Sequence, residues 1–473
     1  MTLIMTIFDI PEINLQIAKH LPPADLASAC RVCRSWFVPF ASQLWRSIQP
    51  DQWTHGALTD ALPRYSVFVR QLRCSLFVNL DTLGPECTRL TLFKAPRLNH
   101  SAFPVLKRIL ESNPDIEELT LISDFGMSAI QLTMETIRIV AGLAKMRKLV
   151  LMDFVAPRGA LEYMMEKLPR LEALSIEGWE DLPPLSQEVD PATGAVVLSG
   201  AMEEEVSDMT EQFGRDSEQQ HQQQGQRQLR YLSMDEFQDG YESVLRIVRH
   251  TPLLEHLSLT QTRASAIDLT ISPQLVQLCQ QLRSHCPRLD QLSLNYISVD
   301  IGGLEYLLMA FPRMRKLAVN NVYLPQLALL SMLLNQDALQ ESLEDIRIAD
   351  IGAIVDTLAS SMLLALLRKF KKLKRVSLPF HIIEAEDMIR SDGEFKEELT
   401  CRNLEVLEVS IIGPNKSWAP PEAHAEGDLD TDDEDENQEE QPREYELYDA
   451  VMKRLDALPK LDKNTIRFRY KTF

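Results

Sequence analysis

No uninterrupted apolar run in this 473-residue chain approaches the ~18–20 residues a helix needs to cross a bilayer, so no membrane span is expected. Cysteine is scarce: seven in all, an odd and scattered set at 30, 33, 74, 87, 279, 286 and 401. Such a set in a long chain predicts reduced thiols and a cytoplasmic or nuclear protein, not a disulfide framework. The apolar start MTLIMTIFDI has no Lys or Arg ahead of it and no small-residue cleavage site, so it does not read as a signal peptide. Catalytic signatures are missing as well. The nine histidines are scattered without HExxH, and there is no GxGxxG, Walker loop or GxSxG elbow. Cys30-Arg31-Val32-Cys33 has zinc or redox spacing, but no second CxxC or His pair accompanies it. Core positions are expected for both cysteines, and for the isolated Cys279 and Cys286. Neither metal nor cofactor is expected, and the chain is not expected to be an enzyme.

Charge of one sign is also absent from most of the chain, despite a formal net charge of −20. Glu180 to Gln228 carries 11 acids and 2 bases, and Glu422 to Glu444 carries 12 acids and 1 base. Removing these 23 acids and 3 bases from totals of 69 and 49 leaves 46 of each. Acidity therefore belongs to two inserted segments and not to the folded body.

What is present begins at Ile7 to Ile48, IFDIPEINLQIAKHLPPADLASACRVCRSWFVPFASQLWRSI. Pro11 suits the first position of a helix, with Asp9 as its cap and Glu12 near the positive helix end. Ile13, Ile17 and Leu21 then form one apolar stripe. Pro22-Pro23 stops that helix, Leu26, Ala29, Cys30 and Cys33 make the next stripe, and Trp36, Phe40, Leu44 and Trp45 supply bulk. Pro39 inside the third helix implies a kink or an early end. So much apolar surface on so few residues cannot all be buried internally, and part of it must lie against something else.

The ordered positions Ile10-Pro11-Glu12-Ile13, Leu21-Pro22, Asp25-Leu26, Val32-Cys33-Arg34-Ser35-Trp36 and Leu44-Trp45 closely resemble the F-box. The resemblance implies docking on the SKP adaptor of SCF-type ubiquitin ligases, and through it on cullin. It assigns the adaptor contact to Ile10, Pro11, Ile13, Ile17, Leu21 and Leu26, with Val32, Cys33 and Trp36 packing behind.

After residues 51–68, expected to be a linker, a hexamer of the form apolar-x-x-apolar-x-apolar recurs. It appears as VRQLRC (69–74), CTRLTL (87–92), IEELTL (116–121), MRKLVL (146–151) and LEALSI (171–176). It continues as LEHLSL (254–259), LDQLSL (289–294), MRKLAV (314–319), LEDIRI (343–348), LKRVSL (373–378) and LEVLEV (404–409). Helical segments lie between them, at Ala102–Glu111, Leu161–Lys167, Leu275–Ser284, Leu304–Ala310 and Met362–Phe370. The spacings of the fourth residue are 18, 29, 30, 25, 83, 35, 25, 29, 30 and 31. Strands of this form at a period of ~20–29 residues are the signature of leucine-rich repeats. Such units stack because a strand and one helix cannot cover their apolar side alone.

The expected fold is therefore α/β: a small three-helix F-box (1–50), then an irregular leucine-rich-repeat solenoid, or horseshoe, with two disordered acidic insertions. The repeats occupy 69–179 and 229–412, with Leu229 to His250 helical. The insertions fall at 180–228, Gln-rich, and 413–443, and a C-terminal helix with a capping strand fills 444–473. The asparagine or cysteine usual three residues after the last motif leucine is missing. Asp124, Phe154, Trp179, Thr262, Ile297, Val322 and Ile351 stand there, so no side-chain ladder is expected. Thr431, in its acidic context, suits an acidophilic kinase.

Two surfaces are candidates for binding. On the expected inner face the central column is Thr120, Val150, Ser175, Ser258, Ser293, Ala318, Arg347, Ser377 and Glu408. His256, Thr260, Gln291, Asn295, Lys316 and Asn320 lie beside it as a polar group, and a protein target is the expected partner. The run Arg368 to Arg375, RKFKKLKR, reads as the solvated end of a helix, a nuclear import signal or a phosphate-binding patch. The balanced charge of the body argues against nucleic acid. A substrate receptor of an SCF-type ligase is the expected function, with a scaffold acting outside a ligase, or a nucleic-acid binder using 368–375, as alternatives.

Overall fold

The computed structural model describes residues 10–49, 55–74, 87–99, 102–123, 130–181, 228–235, 241–260, 268–269, 273–299, 301–320, 326–349, 360–384 and 401–413, with 453, 455, 458, 460–462 and 467–470. The chain divides into two compact units, residues 1–239 with 250–253 and residues 240–249 with 254–473. The two acidic stretches, 182–227 and 414–452, lie outside the described residues, as does Thr431.

Proline decides where the first two helices begin. α1 (Pro11–Ala18) and α2 (Pro23–Ala29) each start on a proline, whose missing N–H has no intrahelical acceptor there in any case. The N-cap position of α1 is Ile10, in extended conformation, and not Asp9, which is outside the described residues. α3 (Arg34–Leu44) runs through Pro39 to its expected length, so the early end does not occur. Ala18, Leu26, Ala29 and Phe40 are buried together, with Leu21, Cys30, Trp36 and Leu44 packed around them.

The expected linker is folded. β1 (Ser47–Ile48) leaves α3 directly and pairs in parallel with β2 (Gln71–Arg73), Ile48 opposite Leu72. α4 (His55–Tyr65) and a 3-10 turn (Ser66–Phe68) connect them. Trp45 stacks on Tyr65 with centroids 4.5 Å apart, which covers the apolar surface where α3 ends. The three-helix region thus supplies the first strand of the sheet.

In the first unit that sheet continues through β3 (Leu92–Leu98), β4 (Glu118–Ser123), β6 (Lys148–Met152), β8 (Ala173–Glu177) and β10 (Tyr231–Asp235), every pair parallel. Parallel neighbours need a long crossover, and helices supply it. They are α5 (Phe103–Glu111), α6 (Met134–Ala141) and α7 (Ala160–Lys167), each burying an apolar face. In β6, β8 and β10 alternate side chains are buried: Leu149 and Leu151, Leu174 and Ile176, Leu232 and Met234.

The second unit follows the same plan. β11 (His256–Thr260), β13 (Gln291–Asn295), β15 (Lys316–Asn320), β16 (Asp345–Ala349), β17 (Arg375–Glu384), β18 (Val406–Gly413) and β19 (Arg467–Tyr470) pair in that order, all parallel. Its helices are α8 (Tyr241–Val248), α9 (Pro273–His285), α10 (Ile301–Ala310), α11 (Gln326–Leu334), α12 (Asp337–Gln340) and α13 (Ser360–Lys369). β19 is the edge strand expected near Thr465–Phe468, two residues later. Of the expected C-terminal helix Lys453, Leu455 and Leu458 are described, the first two helical and Leu458 in a bend.

After three strands the chain turns through a left-handed residue: Asp153 (φ 60°), Gly178 (φ 58°) and Tyr296 (φ 57°). The next side chain then drops into the interior, and Phe154, Trp179 and Ile297 are buried. The corner N–H donates to the last carbonyl of the following strand: Asp153 to Glu177 at 2.7 Å, Gly178 to Asp235 at 3.3 Å and Tyr296 to Asn320 at 2.9 Å. A backbone bridge with an apolar plug therefore stands where a polar side-chain ladder is missing. Short strands extend these corners: β5 (Ile130–Gln131), β7 (Phe154–Ala156) and β9 (Glu180–Asp181) in one sheet, β12 (Asp268–Leu269) and β14 (Ser298–Val299) in another.

Two repeat positions differ from the sequence reading. The second repeat is Leu90-Thr91-Leu92-Phe93-Lys94-Ala95, because Phe93 is the register partner of Leu72 and Leu119. CTRLTL has the same pattern three residues earlier. Asn113 decides between them: its Oδ1 accepts the Leu90 N–H at 2.7 Å and its Nδ2 donates to the Cys87 carbonyl at 2.6 Å. These two bonds hold 87–90 as the approach to the strand. The expected helix over 229–250 is instead a strand and a helix, with Leu229-Arg230-Tyr231-Leu232-Ser233-Met234 as a further repeat. β9 also takes the first two residues of the expected insertion.

Leu232 is fully buried, so Leu232→Ala should lower unfolding free energy by about 2–5 kcal/mol in urea denaturation. A change below about 0.5 kcal/mol would mean that β10 is not part of the folded body. A Cβ on Gly178 would stand 2.4 Å from Asp153 Oδ1. Gly178→Ala should therefore cost about 1–3 kcal/mol in the same assay, from left-handed strain and displacement of Asp153.

Candidate functional site

The first surface is the outer face of the three helices. Of the stripe only Leu21 packs against the core; Ile13 and Ile17 do not, and Asn14 and Ala18 take the inward face. Ile17 and Ile10 are each 37% exposed, Pro11 is exposed and Ile13 is half-buried. Leu15, which the stripe did not include, is exposed beside them. The core behind this face is already filled by Ala18, Leu26, Ala29 and Phe40, so these side chains are surplus to it.

Three assignments made by resemblance need correction. Leu26 is 4% exposed and belongs to the core instead of the contact surface, because it packs with Ala18 of α1 and Phe40 of α3. Val32 and Cys33 do not pack behind the face. They lie in the turn between α2 and α3, where Val32 is 61% exposed and Cys33 Sγ sits 3.0 Å from Ser35 Oγ. Trp36 packs inward as expected, stacked on Phe40 at 5.2 Å, and Leu21 is half-buried against the core. Phe37 and Val38, not singled out from the sequence, add exposed apolar area on α3. Among the described residues no group of His, Cys, Asp or Glu could hold a metal ion, and no helix is long and apolar enough to cross a membrane.

The second surface is the outward side of the second unit's strands. Register places Ser258, Ser293, Ala318, Arg347, Ser377 and Glu408 in one row. His256, Gln291 and Lys316 form the row before it, and Thr260, Asn295 and Asn320 the row after. Several of these side chains bind one another. Asn320 Nδ2 donates to Asn295 Oδ1 at 2.6 Å, and Asn295 Nδ2 to Thr260 Oγ1 at 3.1 Å. His256 Nε2 lies 3.3 Å from Ser293 Oγ. Burial first, and Lys316 second, lower the His256 pKa against the opposing pull of Asp290. Arg347 is held by Asp345 at 3.1 Å. This face is therefore largely a pre-bonded polar sheet surface, and Ser258, expected on it, is buried.

Sequence reasoning missed a row of charge. From the third repeat on, the second hexamer residue runs Glu117, Arg147, Glu172, Arg230 in the first unit and Glu255, Asp290, Arg315, Glu344, Lys374, Glu405 in the second, alternating in sign except where Glu255 meets Asp290. Backbone bonds place them on successive strands. Arg147 grips Glu172 bidentately at 2.9 and 3.0 Å. Arg315 bridges Glu344 at 3.1 Å and Asp290 at 3.3 Å, and Lys374 reaches Glu344 at 2.7 Å. The alternation was legible in the hexamers and went unread because the apolar positions drew the comparison.

The same row accounts for the basic run 368–375. Lys371 pairs with Glu341 at 2.7 Å, Lys374 with Glu344, Arg375 with Asp345 at 3.8 Å, and Lys369 donates to the Leu334 carbonyl at 2.9 Å. Four of its six bases are thus spent on the neighbouring repeat.

A family model described as F-box-like matches residues 11–49. The match spans α1 to β1, the domain that carries the surplus apolar face. No curated protein matches the chain.

Arg315 and then Lys374, both hydrogen-bonded to Glu344, hold its carboxyl at about 2, well below the ordinary 4.5. A depressed carboxylate stabilises the fold above its unfolded pKa and loses that contribution as pH falls towards its folded one. Thermal melts should therefore fall between about pH 4.5 and pH 2, and Glu344→Gln should flatten that part of the profile while lowering stability at neutral pH. An identical profile in the variant would mean that the pairing carries no stability.

Proposed function

We propose that this chain is the target-recognition subunit of an SCF-type ubiquitin ligase, a non-catalytic receptor that works in the cytoplasm, the nucleus or both. F-box domains generally bind SKP-type adaptors, and here the domain at 11–49 supports that role. The observation that carries the reading is the exposed apolar face of Ile10, Pro11 and Ile17 on a domain whose own core is complete. An adaptor seated there would remove this surface from water and place the chain beside cullin.

The strand–helix units after it are read as an irregular leucine-rich-repeat solenoid that holds a protein target. Parallel strands in register, each with an apolar pair turned inward, support this. The chain would then act by proximity, raising the effective concentration of target lysines near the charged conjugating enzyme.

Calorimetry of the full chain against purified SKP adaptor tests the reading. Submicromolar binding is expected, with a loss of about a hundredfold or more in Ile10→Asp/Ile17→Asp, since central apolar contacts each carry about 2 kcal/mol or more. The double variant should melt with the wild type, because both side chains are exposed. Leu26→Ala should lower stability instead. Undiminished adaptor binding by the double variant, or none by the wild type, would sink the proposal.

A further inference from the structure

The alternation of charge breaks at the first strands of the sheet. There the second motif position carries Arg46, Arg70 and Thr91. Backbone bonds put them on adjacent rungs, Arg70 N–H to the Arg46 carbonyl at 2.9 Å and Thr91 N–H to the Arg70 carbonyl at 2.7 Å. Arg89 adds a third guanidinium, its carbonyl accepting from Arg70 Nη1 at 3.1 Å. On the outward face Arg73 and Lys94 are register partners. Burial, followed by the charges of Arg89 and Arg46, lowers the Arg70 pKa from the ordinary arginine value. Among the described residues no carboxylate pairs with any of these five, whereas Arg147, Arg315 and Lys374 each hold one. Adjacent like charges cost stability, and at Arg147, Arg315 and Lys374 a carboxylate on the neighbouring strand offsets the cation.

Beyond the cluster the outward face is mixed. Leu92 sits on β3 beside the exposed Glu118 of β4, and past Thr120, the register partner of Lys94, the residues Ile122, Val150 and Met152 form an aliphatic patch on β4 and β6, with Ile122 opposite Met152. Leu92, Ile122, Val150 and Met152 are half-buried. The described outward positions of β2, β3, β4 and β6 include no aromatic ring, so a platform for stacking bases is missing there. A cationic corner with an aliphatic patch on the next two strands fits a polypeptide of mixed acidic and apolar composition better than it fits a nucleic acid.

We propose that Arg46, Arg70, Arg73, Arg89 and Lys94, with the aliphatic patch of Ile122, Val150 and Met152, form a docking surface for an acidic, aliphatic segment of a protein target. This rests on the reading of the strand units as target-binding and gives that target a chemistry. It also moves the expected site from the pre-bonded face of the second unit to the first.

The test is fluorescence anisotropy of the full chain with a labelled peptide of about a dozen residues rich in Glu and Leu, next to its Gln-for-Glu counterpart. At low salt the acidic peptide should bind at least tenfold more tightly, and binding should weaken steeply as salt shortens the screening length. Arg73→Glu/Lys94→Glu should weaken it by about tenfold or more and favour a Lys-for-Glu peptide instead, as a reversed charge pattern requires. Both positions are exposed, so melting should not change. Adaptor calorimetry on the same variant separates the two proposals: intact adaptor binding with lost peptide binding supports the site, whatever the adaptor affinity of the wild type. Equal binding of the Gln peptide would overturn it. So would single-stranded DNA of matched charge binding as tightly, loss of adaptor affinity in the variant, or a large gain in peptide affinity on deleting 422–444.

Discussion

Among the described residues most strands of the long sheet turn two apolar side chains to the same side and are preceded by a third that is also buried, as in Leu289, Leu292 and Leu294. One strand and one helix do not make a compartment large enough to keep such a triplet dry. Only the next unit, laid alongside in parallel, completes the layer. This requirement explains why the connections are helices, why the spacing stays near one strand plus one helix, and why α3 leads into a strand at all. Trp45 and Ile48 are the truncated triplet by which the three-helix region joins the same layer.

Apolar layers are poor at choosing a register, because one leucine fills a gap much as another does. The polar positions do the choosing. The charged row sets carboxylates against guanidinium or ammonium groups on neighbouring strands, Arg147 on Glu172, and Asp290, Arg315, Glu344 and Lys374 in a chain, and a slip would break these pairs. Exposed pairs of this kind add little stability individually, about 0–1 kcal/mol each; their effect is to penalise the alternatives. The left-handed corners act at the other end of three strands. There a backbone bond and an inward aromatic or aliphatic side chain end the strand at a defined point.

The same logic separates the two sides of the candidate interfaces. Ile10 and Ile17 are exposed because the pattern Asn14–Ala18 takes the inward face of α1, leaving the larger side chains on the outside. In the sheet, the outward row of the second unit is polar and largely bonded to itself. The first strands carry cations with no opposing row. Surfaces that satisfy themselves need no partner, and the ones that do not are where binding energy remains to be gained.

Much of this was legible in the chain as written. Periodicity located most strands and the five helical segments, because a strand or helix with one buried side must repeat its apolar residues at the period of its own backbone. The prolines marked both early helix starts for a purely local reason, the missing N–H. What the sequence left open needed partners distant in the chain. Whether 87–92 or 90–95 is the strand depended on Asn113, and whether 229–234 is strand or helix depended on pairing with β8. Leu26 and Ile17 are both aliphatic residues on short helices, and only the position of Phe40 buries one and leaves the other outside. Local periods select elements, but register, burial and spare charge are properties of neighbours, and neighbours exist only once the chain has folded.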